Sequence, residues 1–187
     1  MTDYTFAIAL AVVVSMLVTH RRDQVAWARL LDLHLVLAAV AVLAGRIGYV
    51  AANSAYFAAH VSEIVDFAGV PGLHAQSALA GAAVGGLLMR QLRAAAFAIC
   101  LVGVAASLGC IPQGCGAGRE VFWTDGMLPW LLRVDWPDAT LMRNPRLPTQ
   151  IFTAIWLAAC AALAMRRPVW ALAVAALGDR LISLLRA

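Results

Sequence analysis

Arg46 interrupts the apolar run Leu35 to Val50, LVLAAVAVLAGRIGYV, between Gly45 and Gly48 and just before Tyr49. An arginine near mid-membrane costs roughly 2.5–3.5 kcal/mol on insertion scales, so it usually faces a bundle interior or a wet cavity and binds something anionic. The competing reading is an anchor whose long stem reaches the headgroup layer. The flanking glycines suit close backbone packing and favour the interior. His74 and Gln76 precede the small-residue run SALAGAAVGG and are either wall residues of a cavity or hydrogen-bonded structure. Cys110 and Cys115 bracket Ile-Pro-Gln-Gly, where a disulfide and a reactive thiol are both open. Their spacing lacks the Cys-x-x-Cys redox pattern, and no histidine cluster accompanies them, so neither a metal nor a cofactor is expected. Cys100 and Cys160 sit in apolar runs and read as packing residues.

These residues must be positioned by membrane helices. With 63% hydrophobic and 13% charged residues in 187, and a mean hydropathy of +0.83, the chain lies far from a soluble domain, whose apolar share is about 45–50%. Apolar runs at 4–19, 33–52, 70–89, 94–111, 149–165 and 168–186 approach the roughly 17–25 residues that a bilayer requires. The expected fold is all-α: one polytopic membrane domain over 1–187, of about six helices. Residues 1–19 read as a first helix, not as a cleaved leader.

Every basic residue apart from the histidines is arginine, and their placement predicts orientation. His20, Arg21, Arg22 and Arg29 follow the first helix, Arg90 and Arg93 separate the third and fourth, and Arg166 and Arg167 separate the last two. These alternate loops share one side, which the positive-inside rule makes cytoplasmic. The N-terminus, loop 53–69, segment 112–148 and the C-terminus then lie outside. The net charge of +4 reflects topology and anionic membrane lipid, not nucleic acid.

Segment 112–148, rich in proline, glycine and charge, forms a small outer head in which Trp123, Trp130 and Trp136 suit an interfacial belt. Ser77, Gly81 and Gly85 recur every four residues, a face that lets membrane helices approach closely.

Taken in order, these segments resemble the prolipoprotein diacylglyceryl transferase family. AGRIGYVAANSAYF at 44–57 is similar to its Gly-Arg-(Leu/Ile)-Gly-Tyr-Val segment, which carries Arg46, Tyr49 and Asn53. Glu63-Ile64 followed by GLHAQSALAG resembles its Glu-Ile and Ser-Phe-His-Gly-Gly stretch, the family histidine falling on Gln76 with His74 two residues away. SLGCIPQGCGAGR, with Gly109 and Gly114, resembles its glycine-rich signature, Pro148-Thr149-Gln150 its Pro-(Ser/Thr)-Gln helix entry, and GDRLISLLR its late arginine helix. Ser107, Cys110, Gln113 and Cys115 stand where the family signature has arginine, two asparagines and glutamate, and Leu147, Phe152 and Thr153 replace the residues around Pro-Ser-Gln.

The resemblance implies transfer of the diacylglyceryl group of phosphatidylglycerol to the lipobox cysteine of a prolipoprotein in the bacterial inner membrane. A thioether forms and glycerol phosphate leaves. It makes His74, Gln76 and Arg180 the catalytic candidates and Arg46, Tyr49, Asn53, Gly109, Gly114, Arg119 and Gln150 the substrate-binding ones. Arg46 and Arg180 would clamp the phosphate bidentately, with Arg119 a third cation and backbone N–H groups of the glycine loop aiding it. Glu63 and Asp179 join His74 as the only other residues able to act as a base. Two alternatives stay open: an impaired relative that binds phospholipid or acts on another lipid or acceptor, and a small transporter or thiol-based membrane protein.

Overall fold

A computed structural model describes residues 2–67, 69, 70, 72–113, 118–137 and 143–185. Six principal helices form the bundle: α1 (Thr2–Asp23), α2 (Trp27–Ala52), α4 (Ala75–Leu88), α5 (Leu92–Gly109), α7 (Thr149–Ala164) and α8 (Pro168–Ser183). The short α3 (Ser54–Ala59) follows α2, and α6 (Met127–Leu132) lies between α5 and α7. Tyr4–Asp23, Trp27–Ala52 and Leu92–Gly109 are long and apolar enough to cross a membrane, and Ala75–Leu88 and Thr149–Ala164 are shorter apolar helices.

The bundle matches the expected count, with shifted ends. Helix α2 begins at Trp27, because Arg29 and Asp32 are accommodated on its exposed side. Helix α4 begins only at Ala75, where His74 caps it. The head adds what the all-α expectation lacked, an antiparallel pair of β1 (Val134–Pro137) and β2 (Arg143–Arg146) in the register Val134↔Arg146 to Pro137↔Arg143.

Helix α5 is central, packing on α1, α4, α7 and α8. Three clusters surround it: Leu33, Leu37 and Ala82 close on Ala94, Ala95 and Ala98, Cys100 meets Leu157, Cys160, Ala161 and Ala175, and Ala96 meets Ala164 and Ala171. Alanine dominates these contacts, as expected where lipid offers no hydrophobic driving force and van der Waals packing of small residues must hold helices together. Across α7 and α8, Trp156 donates its indole N–H to the Val174 carbonyl at 3.0 Å. Its ring lies over Gly178, where a side chain would collide with it.

The arginine-bearing loops converge at one end. Arg22 donates to the Met165 carbonyl at 3.0 Å, and Arg93 lies 3.9 Å from Asp23. The head collects at the other end, where the Arg119 N–H bonds the Leu185 carbonyl just past α8. Gly118 packs there against the Leu147 carbonyl and Thr149, and Arg146 pairs with Glu120 at 2.7 Å.

The most extensive helix interface joins α2 and α4. A Cβ on Gly81 would stand 2.4 Å from Ala44 Cβ and 2.6 Å from the Val40 carbonyl oxygen, and one on Gly48 would meet the Ser77 hydroxyl at 2.0 Å. Gly85, one turn further along the same stripe, would meet only ordinary contacts from 3.5 Å outward. Overpacking costs about 1–3 kcal/mol where backbone must shift. Gly81→Val should therefore lower the melting temperature of the detergent-solubilised protein markedly and Gly85→Ala little; equal melting curves for the two would remove the close-approach reading of this face.

Candidate functional site

The end of α2, the segment after it and the start of α4 build one polar assembly at the head end. Arg46 is 4% exposed, and its guanidinium carries five N–H donors in a rigid fork. Nε donates to the Ile64 carbonyl at 2.7 Å. One terminal nitrogen donates to Val70 at 2.7 Å and Gly72 at 3.5 Å. The other donates to Glu63 at 2.5 Å and Asp66 at 3.2 Å. The rings of Phe67, Phe57 and Tyr49 surround the cation at 5.0, 5.4 and 5.7 Å, within cation–π range. The fork expected to hold a phosphate is thus engaged by the chain's own carbonyls. The burial is as anticipated, but the bound groups are the carbonyls of residues 63–72.

Around this clamp the local chemistry is consistent. Tyr49 packs its ring on Gly72, where a Cβ would come within 2.4 Å of it. Asn53 joins α2 to α3, its backbone and side-chain N–H groups both reaching the Tyr49 carbonyl, the side chain at 2.8 Å. Its own carbonyl receives Tyr56 and Phe57. The Tyr56 hydroxyl donates to the Glu63 carboxylate at 2.6 Å. That hydrogen bond raises the Tyr56 pKa above the usual phenol value.

His74 sits on α2. Its N–H donates to the Gly45 carbonyl at 2.9 Å, and its Nδ1 accepts the Ser77 N–H at 3.3 Å and lies 2.9 Å from the Ser77 hydroxyl. Ser77 was legible only as a small packing residue; its sequence signal was the spacing of three from a residue able to cap a helix.

Gln76 turns toward α8. It lines a cavity of about 110 Å³ with Leu79, Ala80 and Ala83 of α4 and Leu172 and Ala176 of α8. Arg180 follows Ala176 by one helical turn and is exposed. The structure therefore groups Gln76 with the helix that carries Arg180, and His74 with Arg46 and Tyr49.

Other candidates lie apart. Arg119 is exposed, 3.7 Å from Asp125, and its backbone ties the head to α8. Gly109 packs on Tyr4, whose ring a Cβ would approach to 2.9 Å. Gln150 is buried beside Thr149 and Thr153 at the start of α7. Cys110 is disulfide-bonded, whereas Cys100 and Cys160 are free and buried; Gly114 and Cys115 lie outside the described residues. Sequence reasoning also missed Ser15, fully buried in α1 with its hydroxyl 2.7 Å from His34 Nε2 of α2.

The fold and these residues define a multi-pass membrane protein whose polar groups collect at one end of a small-residue bundle. The chain belongs to the prolipoprotein diacylglyceryl transferase family, whose model matches residues 1–182. That membership carries the family reaction, diacylglyceryl transfer from phosphatidylglycerol to a prolipoprotein cysteine. Neither a curated protein nor a solved structure matches the chain.

If the clamp holds residues 61–73 against α2, loss of its donors strands carbonyls at about 1–3 kcal/mol for each buried group left unsatisfied. Arg46→Lys, which keeps the charge but not the fork, should expose this segment to limited proteolysis and lower the melting temperature by several degrees. An unchanged cleavage pattern would show that the carbonyl set does not order the segment.

Proposed function

We propose that phosphatidylglycerol docks between α4 and α8, its acyl portion along Leu79, Ala80, Ala83 and Leu172 and its headgroup toward Gln76 and Arg180. The observation that carries this reading is the order of residues along the groove. The cavity is apolar through Ala83 and Leu172, meets a carboxamide at Gln76, and has an exposed guanidinium one turn past Ala176. A phospholipid presents the same sequence of chemistry from tail to phosphate.

The reaction needs a thiolate as nucleophile and stabilisation of the charge that develops on the departing phosphate. Arg180 supplies a fork able to bind phosphate bidentately, and Arg119, attached beside the end of α8, is the second cation. Arg46 serves substrate binding from beneath, by holding the segment that carries Tyr56, Glu63 and Gly72 around Tyr49. Asn53, Gly109 and Gln150 belong to the same head end as shaping residues. The acceptor is the lipobox segment of a prolipoprotein, which approaches in the membrane plane.

Purified protein given phosphatidylglycerol and a lipobox peptide should form a thioether detectable by mass. Removing the partner of a phosphate typically costs on the order of 2–5 kcal/mol. Arg180→Gln should therefore reduce turnover and lipid binding strongly, while Arg90→Gln at the opposite end should leave both near wild type. Equal activity of the Arg180→Gln protein would exclude this groove as the donor site.

The arginine loops gather at one end, which supports an inner-membrane orientation with that end cytoplasmic and the N-terminus, head and C-terminus outside. Single cysteines at Thr2, Asp125 and Arg22, in a background without the native four, should react with an impermeant thiol reagent at the first two positions only. Labelling at Arg22→Cys alone would invert the topology.

A further inference from the structure

We propose that the bundle draws the bilayer in along its α4–α8 flank, so that lipid phosphate meets Arg180 below the level at which headgroups stand beside α2, and short-chain anionic phospholipid is taken there in preference to long. This rests on the reading of the α4–α8 groove as the donor site.

The helices around that groove are short. A hydrocarbon core of about 30 Å needs roughly 20 helical residues, and α2 supplies them. From Asp32, exposed near its arginine-loop end, to Asn53, exposed at its head end, the backbone rises about 31 Å. Helix α8 does not match this. Arg167 stands at its start and Arg180 in its last turn, and every residue from Pro168 to Gly178 is apolar, so the two cationic residues are only about 20 Å apart along the axis. Helices α4 and α7, of 14 and 16 residues, rise about 21 and 24 Å. The groove lined by Gln76, Ala83, Leu172 and Ala176 therefore lies on a flank that falls short of the hydrocarbon core by about 6 to 10 Å.

Reaching outward is disfavoured for Arg180. Each Cα–Cβ bond of a helix tilts toward its N-terminus, which for α8 is the arginine-loop end, so the stem leans away from the head. Nor does Arg180 stand above the apolar band, because Leu181 and Leu184 beyond it are 55% and 70% exposed. A guanidinium at such a depth is accommodated when the bilayer thins locally and polar groups come in to it. Thinning costs little for each ångström, and lipid with short chains meets the reduced thickness without compression.

Lipid retained by the protein tests this without turnover. Wild-type protein is placed in fluid vesicles holding equal amounts of phosphatidylglycerol with chains of about 14 and about 22 carbons, then extracted in mild detergent. Mass spectrometry should find the short form kept over the long by about threefold or more. Arg180→Leu should keep both alike. Combining Arg180→Leu with Leu184→Arg moves the charge one turn toward the head and should shift retention toward the longer chain. Equal retention by wild type, a comparison that needs no variant to fold, overturns the proposal, as does a short-chain preference that survives in folded Arg180→Leu protein. Thioether formation on a lipobox peptide separates the two readings: product without chain preference removes the thinned flank and leaves the donor site, whereas short-chain retention without product places the failure in the donor site itself.

Discussion

Five backbone carbonyls turned onto one guanidinium hold the head end of this bundle together. Between α3 and α4 the chain forms a short 3-10 turn, Val61–Val65, and the carbonyls of Glu63, Ile64, Asp66, Val70 and Gly72 turn to Arg46, where a buried peptide group left unpaired would be costly. The segment's side chains, Val61, Ile64, Val65, Phe67 and Val70 among them, offer nothing to its own carbonyls. Arg46 offers five donors from a rigid plane, and a cation removed from water needs as many partners as that fork can take. Each solves the other's problem. Lysine, with a compact charge and fewer donors, could not serve the same set of oxygens, and a neutral side chain would leave most of them stranded.

The start of α4 depends on that arrangement. With Gly72 laid under Tyr49, the chain arrives where the His74 N–H meets the Gly45 carbonyl, and α4 then descends along α2 through Ser77 and Gly81. Glycine at 45, 48 and 81 sets the separation, so backbones meet at distances that any side chain would prevent. The far face of α4 is thereby turned to α8, which creates the groove from Gln76 to Ala83. The cation clamp thus sets, through Gly72 and His74, where the groove between α4 and α8 lies.

The arginines consequently divide the work. Arg46 is buried and occupied, Arg146 is paired within the head, and Arg22 and Arg93 tie together the opposite end. Arg180 remains exposed at the end of the α4–α8 groove. The buried and paired arginines are thereby kept apart from the exposed guanidinium at the groove. Of the replacements in the glycine-rich signature, Ser107 stays within α5, its hydroxyl donating to the Gly103 carbonyl at 2.8 Å, and Cys110 follows at the end of that helix. Cys110 is covalently tied where the family pattern has a polar side chain, and past the signature Arg146 of β2 pairs with Glu120.

Composition and loop charge were sufficient for the membrane class, the six principal helices and the gathering of arginine loops at one end. Those follow from the cost of polar groups in lipid, a property each residue carries with it. The small-residue stripe of Ser77, Gly81 and Gly85 was legible for the same reason, since helical period alone places it on one face. The partners of Arg46 were not legible, because carbonyls belong to every residue alike and nothing in the sequence marks which ones will converge. The seat of His74 against α2 was equally hidden. It is decided by a backbone N–H three residues on and by the absence of a side chain at Gly48 on another helix, and only the folded chain brings those together. The strands of the head escaped notice because their short runs, broken by proline and arginine, carry little period of their own. Pairing across the chain, not local preference, makes them strands.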